Sequence, residues 1–121
     1  MKNNWELIVF EKENKAVPLD EFLDSLPKKQ RAKVLRALLL LEEHGLSLPF
    51  SHRSHIEGDL HELRTRLGKN QFRILFFHFG GRELILLSGF TKKGNKLPTR
   101  ELNKARSFRV EYIARRREVE E

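Results

Sequence analysis

The chain has 121 residues, no cysteine and a formal net charge of +7 at pH 7. This length suits one domain with a core of its own, and the lack of cysteine excludes disulfides, thiol nucleophiles and thiolate metal sites. The longest unbroken apolar run, Ala37–Leu41, is far shorter than the roughly 20 residues that a membrane span needs. We therefore expect a single cytoplasmic domain over residues 1–121.

The positive charge points to a partner. Basic surfaces attract phosphate backbones without reading their sequence, so a nucleic acid or a ribonucleoprotein is the first partner to expect. An acidic protein is the second. A surface that merely keeps a small domain soluble explains the charge equally well, so charge alone does not decide the function.

The first half of the chain predicts one strand and two helices. The run Trp5–Phe10 is rich in β-branched and aromatic residues, which favours a strand. A short helix follows, with one apolar face made by Leu19, Phe22, Leu23 and Leu26. A second helix begins at Lys28 and stops at Gly45, and its predicted apolar face consists of Ala32, Leu35, Leu38, Leu39 and Leu41.

The second half predicts three strands and a last helix. The strand-like runs are Leu60–Leu67, Gln71–Phe79 and Glu83–Phe90, and the short connections between them favour antiparallel neighbours. A cationic loop follows, and Pro98 opens a helix with an apolar stripe of Leu102, Ala105, Phe108 and Tyr112. The order β-α-α-β-β-β-α predicts an α+β domain in which helices pack on a small antiparallel sheet.

Four short stretches, in this order, carry a family resemblance: Leu60-His61-Glu62-Leu63-Arg64, Phe72-Arg73-Ile74-Leu75-Phe76, Gly89-Phe90-Thr91-Lys92-Lys93, and Leu97-Pro98 through Glu101 to Ala105. With them the chain resembles the RelE/ParE toxin superfamily, and most closely its HigB-like, phage-derived branch. The likeness spans the chain from the first strand to the last helix. Phe76 stands where a tyrosine is common in the family, which removes one hydroxyl group.

The resemblance implies a RelE-like fold and a toxin of a type II toxin–antitoxin system. It implies an mRNA interferase, an endoribonuclease that cuts messenger RNA on the ribosome without a metal or organic cofactor. It also implies a cognate antitoxin, typically a HigA-like helix-turn-helix protein, in a hetero-oligomeric complex. The gyrase-poison branch of the same superfamily shows that the fold alone does not prove the activity.

The strand pattern places two arginines for phosphate binding. Arg64 shares a strand face with Glu62 and Arg66, and a two-residue Gly68-Lys69 turn would set Arg73 directly opposite Arg64. Two facing cations suggest an anion between them. The alternative is that both arginines pair with Glu62 on a solvated face. Given the resemblance, we favour the phosphate role.

The predicted site adds the cationic loop and one aromatic ring. We assign catalytic roles to Arg64, Arg73, Lys92 and Lys93, and RNA contacts to Arg66, Phe90 and Lys96. Phe90 is the better candidate for stacking on a base, whereas Tyr112 fits the apolar stripe of the last helix. A plain basic loop remains the simple alternative for the lysines, above all for Lys96.

The general base is left open. Strand parity points His61 away from Arg64, and His78 fits the core or its edge. His52 and His55 reach the groove only if their loop folds over it. Two other functions also remain open: an inhibitory toxin that binds gyrase without cutting RNA, and an inactive RNA-binding domain left by a prophage.

Overall fold

A computed structural model describes residues 4–120 as one five-stranded sheet with helices on both faces. The strands are β1 (Glu6–Val9), β2 (Arg53–Glu57), β3 (Leu60–Leu67), β4 (Asn70–Gly80) and β5 (Glu83–Lys92). The helices are α1 (Pro18–Ser25), α2 (Lys28–His44) and α3 (Thr99–Glu120), with a 3-10 turn at Gly45–Ser47. The predicted α+β class and the order of the predicted elements are confirmed. None of the helices in this part of the chain is long and apolar enough to cross a membrane.

The sheet differs from the prediction at both edges. Its order is β1-β5-β4-β3-β2, and the edge strand β2 was missed in the sequence. At the other edge β1 pairs with β5 in parallel, so the sheet is not purely antiparallel as predicted. The parallel pairing follows from the α1–α2 hairpin and the β-meander, which together bring the chain back beside its first strand.

Each face of the sheet carries its own apolar core. Alternate residues of β4 point to opposite faces, so Phe72, Ile74 and Phe76 meet α1 and α2, while Leu75 and Phe77 meet α3. This double burial explains why β4 and β5 read as nearly continuous apolar runs. The predicted central position of these two strands in the core is confirmed.

The buried face of α2 includes Leu38 and Leu41, as predicted, but otherwise differs from the predicted face. Val34, Ala37 and Leu41 are at most 5 % exposed and pack on the sheet. Leu35 and Leu39 are instead 44 % and 65 % exposed. The run of leucines after Ala37 offers apolar side chains in every direction, so helical spacing alone did not identify the face that packs.

Helix α3 runs back along β5 and is tied to the strands by ion pairs. Arg109 makes two hydrogen bonds to the carboxylate of Asp59, at 2.6 and 2.7 Å. Arg106 makes a similar pair with Glu57, at 3.0 and 2.6 Å. Near the end of the helix, Tyr112 packs edge-on against Phe77 and Phe79, so its predicted place in the core is confirmed. No described residue of α3 lines the open pocket at Arg64, at the other end of the sheet face.

Candidate phosphate-binding site

The turn between β3 and β4 sets the geometry of the candidate site. Leu67 pairs with Asn70, so the turn has two residues, Gly68 and Lys69, and Gly68 adopts φ 60°. Such a turn suits glycine because its first position requires a positive φ. The register then places Arg64 directly opposite Arg73, as the two-residue turn predicts.

Both arginines contact the same carboxylate. The Nε atom of Arg64 donates a hydrogen bond to Oε1 of Glu62 at 3.0 Å. The Nε atom of Arg73 lies 3.1 Å from that oxygen but outside hydrogen-bond geometry, so this contact is an ion pair. Ser54 Oγ lies 3.5 Å from the same oxygen on the neighbouring strand. Glu62, which the sequence analysis names as the alternative partner of both arginines, is therefore the anion that lies between them.

The two arginines differ in how much of their donor capacity is free. Arg73 is 6 % exposed, and its terminal nitrogens donate to the carbonyl of Phe72 and to Oε1 of Gln71. Burial lowers the pKa of the Arg73 guanidinium, while Glu62 beside it acts in the opposite direction. Arg64 is more open, with a side chain 28 % exposed, and no described residue accepts a hydrogen bond from its terminal nitrogens. Arg64 can therefore donate hydrogen bonds to a ligand, whereas both terminal nitrogens of Arg73 already donate within the protein.

An open pocket of about 190 Å³ lies over this pair. Its lining consists of Ser51, Arg64, Thr65, Arg66, Gln71 and Arg73. Three of the six lining residues are cationic, and Gln71 and Thr65 add neutral polar groups. This composition suits a phosphate or another small anion.

The remaining predicted site residues, apart from Arg66, are not part of the pocket lining. Lys92 pairs with Gln71 in the sheet register and is half-buried, so it borders the lining. Lys93 and Lys96 are exposed in the loop after β5 and do not line the pocket. Phe90 pairs with Arg73 but is only 8 % exposed, packed in the α3 core cluster. Its ring therefore presents little surface for stacking on a base.

The sequence analysis did not predict that the loop before β2 contributes to the site. The loop before β2 brings Ser51 into the lining and places the ring of Phe50 4.8 Å from the guanidinium carbon of Arg64. Phe50 is 72 % exposed, so a base can approach the ring directly. The signal in the sequence was an aromatic residue in a polar loop, but only the tertiary structure brings that loop beside β3.

A family model, described as phage-derived protein Gp49-like (DUF891), matches residues 21–109. The chain belongs to this family. It is a family of RelE/HigB-type toxins, for which an antitoxin partner is expected. The matched segment runs from α1 into α3 and contains every residue that lines the pocket. A comparison with curated proteins found no match.

Within this Gp49-like domain, most histidines lie on the face opposite the pocket. His61 stacks on Phe76 in the α1–α2 core, and His55 contacts the edge of His61. His78 packs against Trp5 on the same face. The predicted orientation of His61 and the place of His78 at the edge of the core are confirmed. Over residues 4–120 there is no group of three or more acidic or histidine side chains that could hold a metal ion.

Proposed function

We propose that this protein is a toxin that cuts messenger RNA on the ribosome. One observation carries the proposal: Arg64 and Arg73 lie opposite each other under an open cationic pocket that no described residue of α3 lines. Membership of a RelE/HigB-type toxin family supports the same function. The family and the cationic pocket both support the proposal of a phosphate-bearing substrate.

The pocket supplies the electrostatic part of RNA cleavage. When the ribose 2′-oxygen attacks phosphorus, negative charge accumulates on the phosphate oxygens and must be stabilised. The free terminal nitrogens of Arg64 can donate to two of these oxygens, and a guanidinium keeps its charge at all relevant pH values. Glu62, which also pairs with Arg73, holds Arg64 in place, and Arg66 and Lys92 add positive charge nearby.

The proposed partners follow from the charge and from the family. The ribosome presents a dense phosphate surface, which suits a chain of net charge +7. The toxin is neutralised by a cognate antitoxin, which we expect to be a HigA-like helix-turn-helix protein in a hetero-oligomeric complex. Lys93 and Lys96, exposed in the loop after β5, then contact RNA rather than the reacting phosphate.

The decisive experiment is primer extension on a reporter mRNA, comparing naked RNA with RNA on translating ribosomes. Cuts that occur only on ribosomes support the proposal, and the absence of cuts in both samples from folded wild-type protein overturns it. Double-strand DNA breaks after induction, with intact mRNA, would instead indicate a gyrase inhibitor. A folded protein without either effect would indicate an inactive RNA-binding domain.

Two variants link any cleavage to the pocket. Arg64→Ala removes charge-assisted hydrogen bonds worth about 1.5–3 kcal/mol, so we expect cleavage to slow by about 10- to 100-fold. Arg36→Ala is the matched control, because Arg36 is an exposed arginine on α2 and does not line the pocket. Equal losses in the two variants would show that total charge, rather than the pocket, supports the activity.

A further inference from the structure

The pocket lacks a group that exchanges protons. Arginine keeps its proton, so Arg64, Arg66 and Arg73 can bind a phosphate but cannot take a proton from a ribose hydroxyl. Glu62 is only 4 % exposed and is paired with two of these arginines, so a substrate cannot reach its carboxylate. Cleavage without a metal nevertheless needs a base for the 2′-hydroxyl. None of the six lining residues supplies this base, so we expect it to come from a residue beside the pocket.

His52 is the histidine that the structure places next to the pocket. His55, His61 and His78 lie on the opposite face of the sheet, as described above. His44 ends α2, where its ring lies 3.9 Å from a carboxylate oxygen of Glu43. His52 instead lies in the loop of Phe50 and Ser51, two residues that meet the site directly.

The backbone of His52 is fixed to the strand that carries Arg64. Its carbonyl accepts a 2.7 Å hydrogen bond from the backbone N–H of Arg64, and its own N–H donates to the carbonyl of Pro49 at 2.8 Å. The ring is also tied to the lining, since Nδ1 of His52 lies 3.0 Å from Oγ of Ser51. This contact occupies Nδ1, and no hydrogen bond within residues 4–120 engages Nε2. His52 is exposed, so a substrate can approach the ring.

We propose that His52 is the general base of the cleavage reaction, an inference that rests on the proposed function. With Nδ1–H donating to Ser51, the lone pair of Nε2 takes the proton of the 2′-hydroxyl. The 2′-oxygen forms a bond to phosphorus, and the bond from phosphorus to the 5′-oxygen breaks. Solvent water supplies the proton to the leaving 5′-oxygen. The products are a 2′,3′-cyclic phosphate and a 5′-hydroxyl, and His52 returns its proton to solvent.

The test compares His52→Gln with His55→Gln in single-turnover cleavage of ribosome-bound mRNA. His55 is the matched control because it is also exposed, lies three residues away and faces the other side of the sheet. We expect His52→Gln to lower the cleavage rate by about 100-fold or more while ribosome affinity, measured by co-sedimentation, stays unchanged. His55→Gln should cut at the wild-type rate. Added imidazole should partly restore cleavage by His52→Ala.

Each contrary result has a distinct meaning. If wild-type protein cuts and His52→Gln cuts within about threefold of it, His52 is not the base and the proposed function stands. If His52→Gln loses ribosome affinity together with rate, and imidazole does not rescue His52→Ala, the residue serves binding and the inference is overturned. If wild-type protein does not cut at all, the proposed function fails and this inference fails with it.

Discussion

Arg64 and Arg73 share one carboxylate oxygen: their Nε atoms lie 3.0 and 3.1 Å from Oε1 of Glu62. Two guanidinium groups at directly opposed positions of neighbouring strands would repel each other without an anion between them. Glu62 is that anion in the folded chain, and it is almost fully buried. Glu62 therefore positions both guanidinium groups before any substrate binds. Its negative charge also offsets part of the positive charge of the pocket.

Removing the charge of Glu62 should destabilise the fold. In Glu62→Gln the side chain keeps its shape, but the buried Arg73 loses its counter-ion. Breaking a buried pair in this way typically costs several kcal/mol, and since Arg64 is partly solvated we expect a loss of about 2–4 kcal/mol. Urea denaturation measures the free energy of unfolding.

The exposed Glu13→Gln is the control for that substitution and should change stability by less than about 0.5 kcal/mol. Adding Arg73→Met to Glu62→Gln should recover part of the loss, since it removes the uncompensated buried charge. If Glu62→Gln were as stable as wild type, the shared ion pair would have no structural role.

Gly89 should not tolerate a side chain. A Cβ atom there would lie 2.4 Å from Cδ2 of Phe22, a ring of α1 packed on the sheet. Gly89→Ala therefore has to displace the helix or the ring, and we expect a loss of about 1–3 kcal/mol in thermal or urea denaturation. Gly80→Ala is the matched control at the end of β4, where a Cβ atom meets nothing within 4 Å. Similar losses in both variants would mean that strand propensity, rather than the contact with Phe22, explains the effect.

His61 should make the fold sensitive to acid. Burial, aided by the charge of Arg53, lowers the pKa of His61 to about 4, against about 6.5 in an unfolded chain. Between these values the unfolded chain binds a proton that the folded chain does not, so the free energy of unfolding falls as the pH drops from about 6.5 to 4. The shift corresponds to about 3 kcal/mol over that window, with full stability retained above it.

The measurement is the difference in unfolding free energy between wild type and His61→Asn at several pH values. Contributions from carboxylates are common to both proteins and cancel in this difference. We expect the advantage of wild type over the variant to shrink by about 2–3 kcal/mol between pH 7 and pH 4.5. A difference that does not change with pH would show that His61 titrates normally in the folded chain.

Arg109 should hold α3 on the sheet. It pairs with Asp59 through two hydrogen bonds, and its guanidinium carbon lies 5.2 Å from the centre of the Phe77 ring. Because Arg109 is partly solvated, we expect Arg109→Gln to cost about 1 kcal/mol and to speed amide hydrogen exchange in α3. Arg117→Gln, an exposed site on the same helix, should leave exchange unchanged. Equal exchange rates in the two variants would contradict a specific role for Arg109.

The features of the site that depend on residues close in sequence, such as hairpin register and strand face, could be predicted from local sequence patterns. The two-residue turn fixed the opposition of Arg64 and Arg73, because a hairpin register follows from its turn. Strand parity likewise separated His61 from the pocket. Strand β2 was missed because its sequence does not alternate and only Ser54 is buried, as suits an edge strand whose partner lies on one side.

Features that depend on tertiary packing were not predictable in the same way. The spacing of leucines in α2 left its buried face ambiguous, and contact with the sheet selected Val34, Ala37 and Leu41. The loop of Phe50 to His52 carries no regular pattern, so its place beside Arg64 follows only from the folded chain. Phe90 looked accessible at the end of its strand, yet α3 covers it.

The pairing of β1 with β5 also affects the order in which the strands can pair during synthesis. Glu6 meets Glu83, a partner that is made long after it, whereas β3 and β4 meet through a two-residue turn. Contacts between distant parts of a chain form slowly, and nearby ones form fast. During synthesis the hairpin with Arg64 and Arg73 can therefore form before β5 is available to pair with β1. We therefore expect a newly made chain to pass through a stage in which the β3–β4 hairpin is formed and β1 is still unpaired.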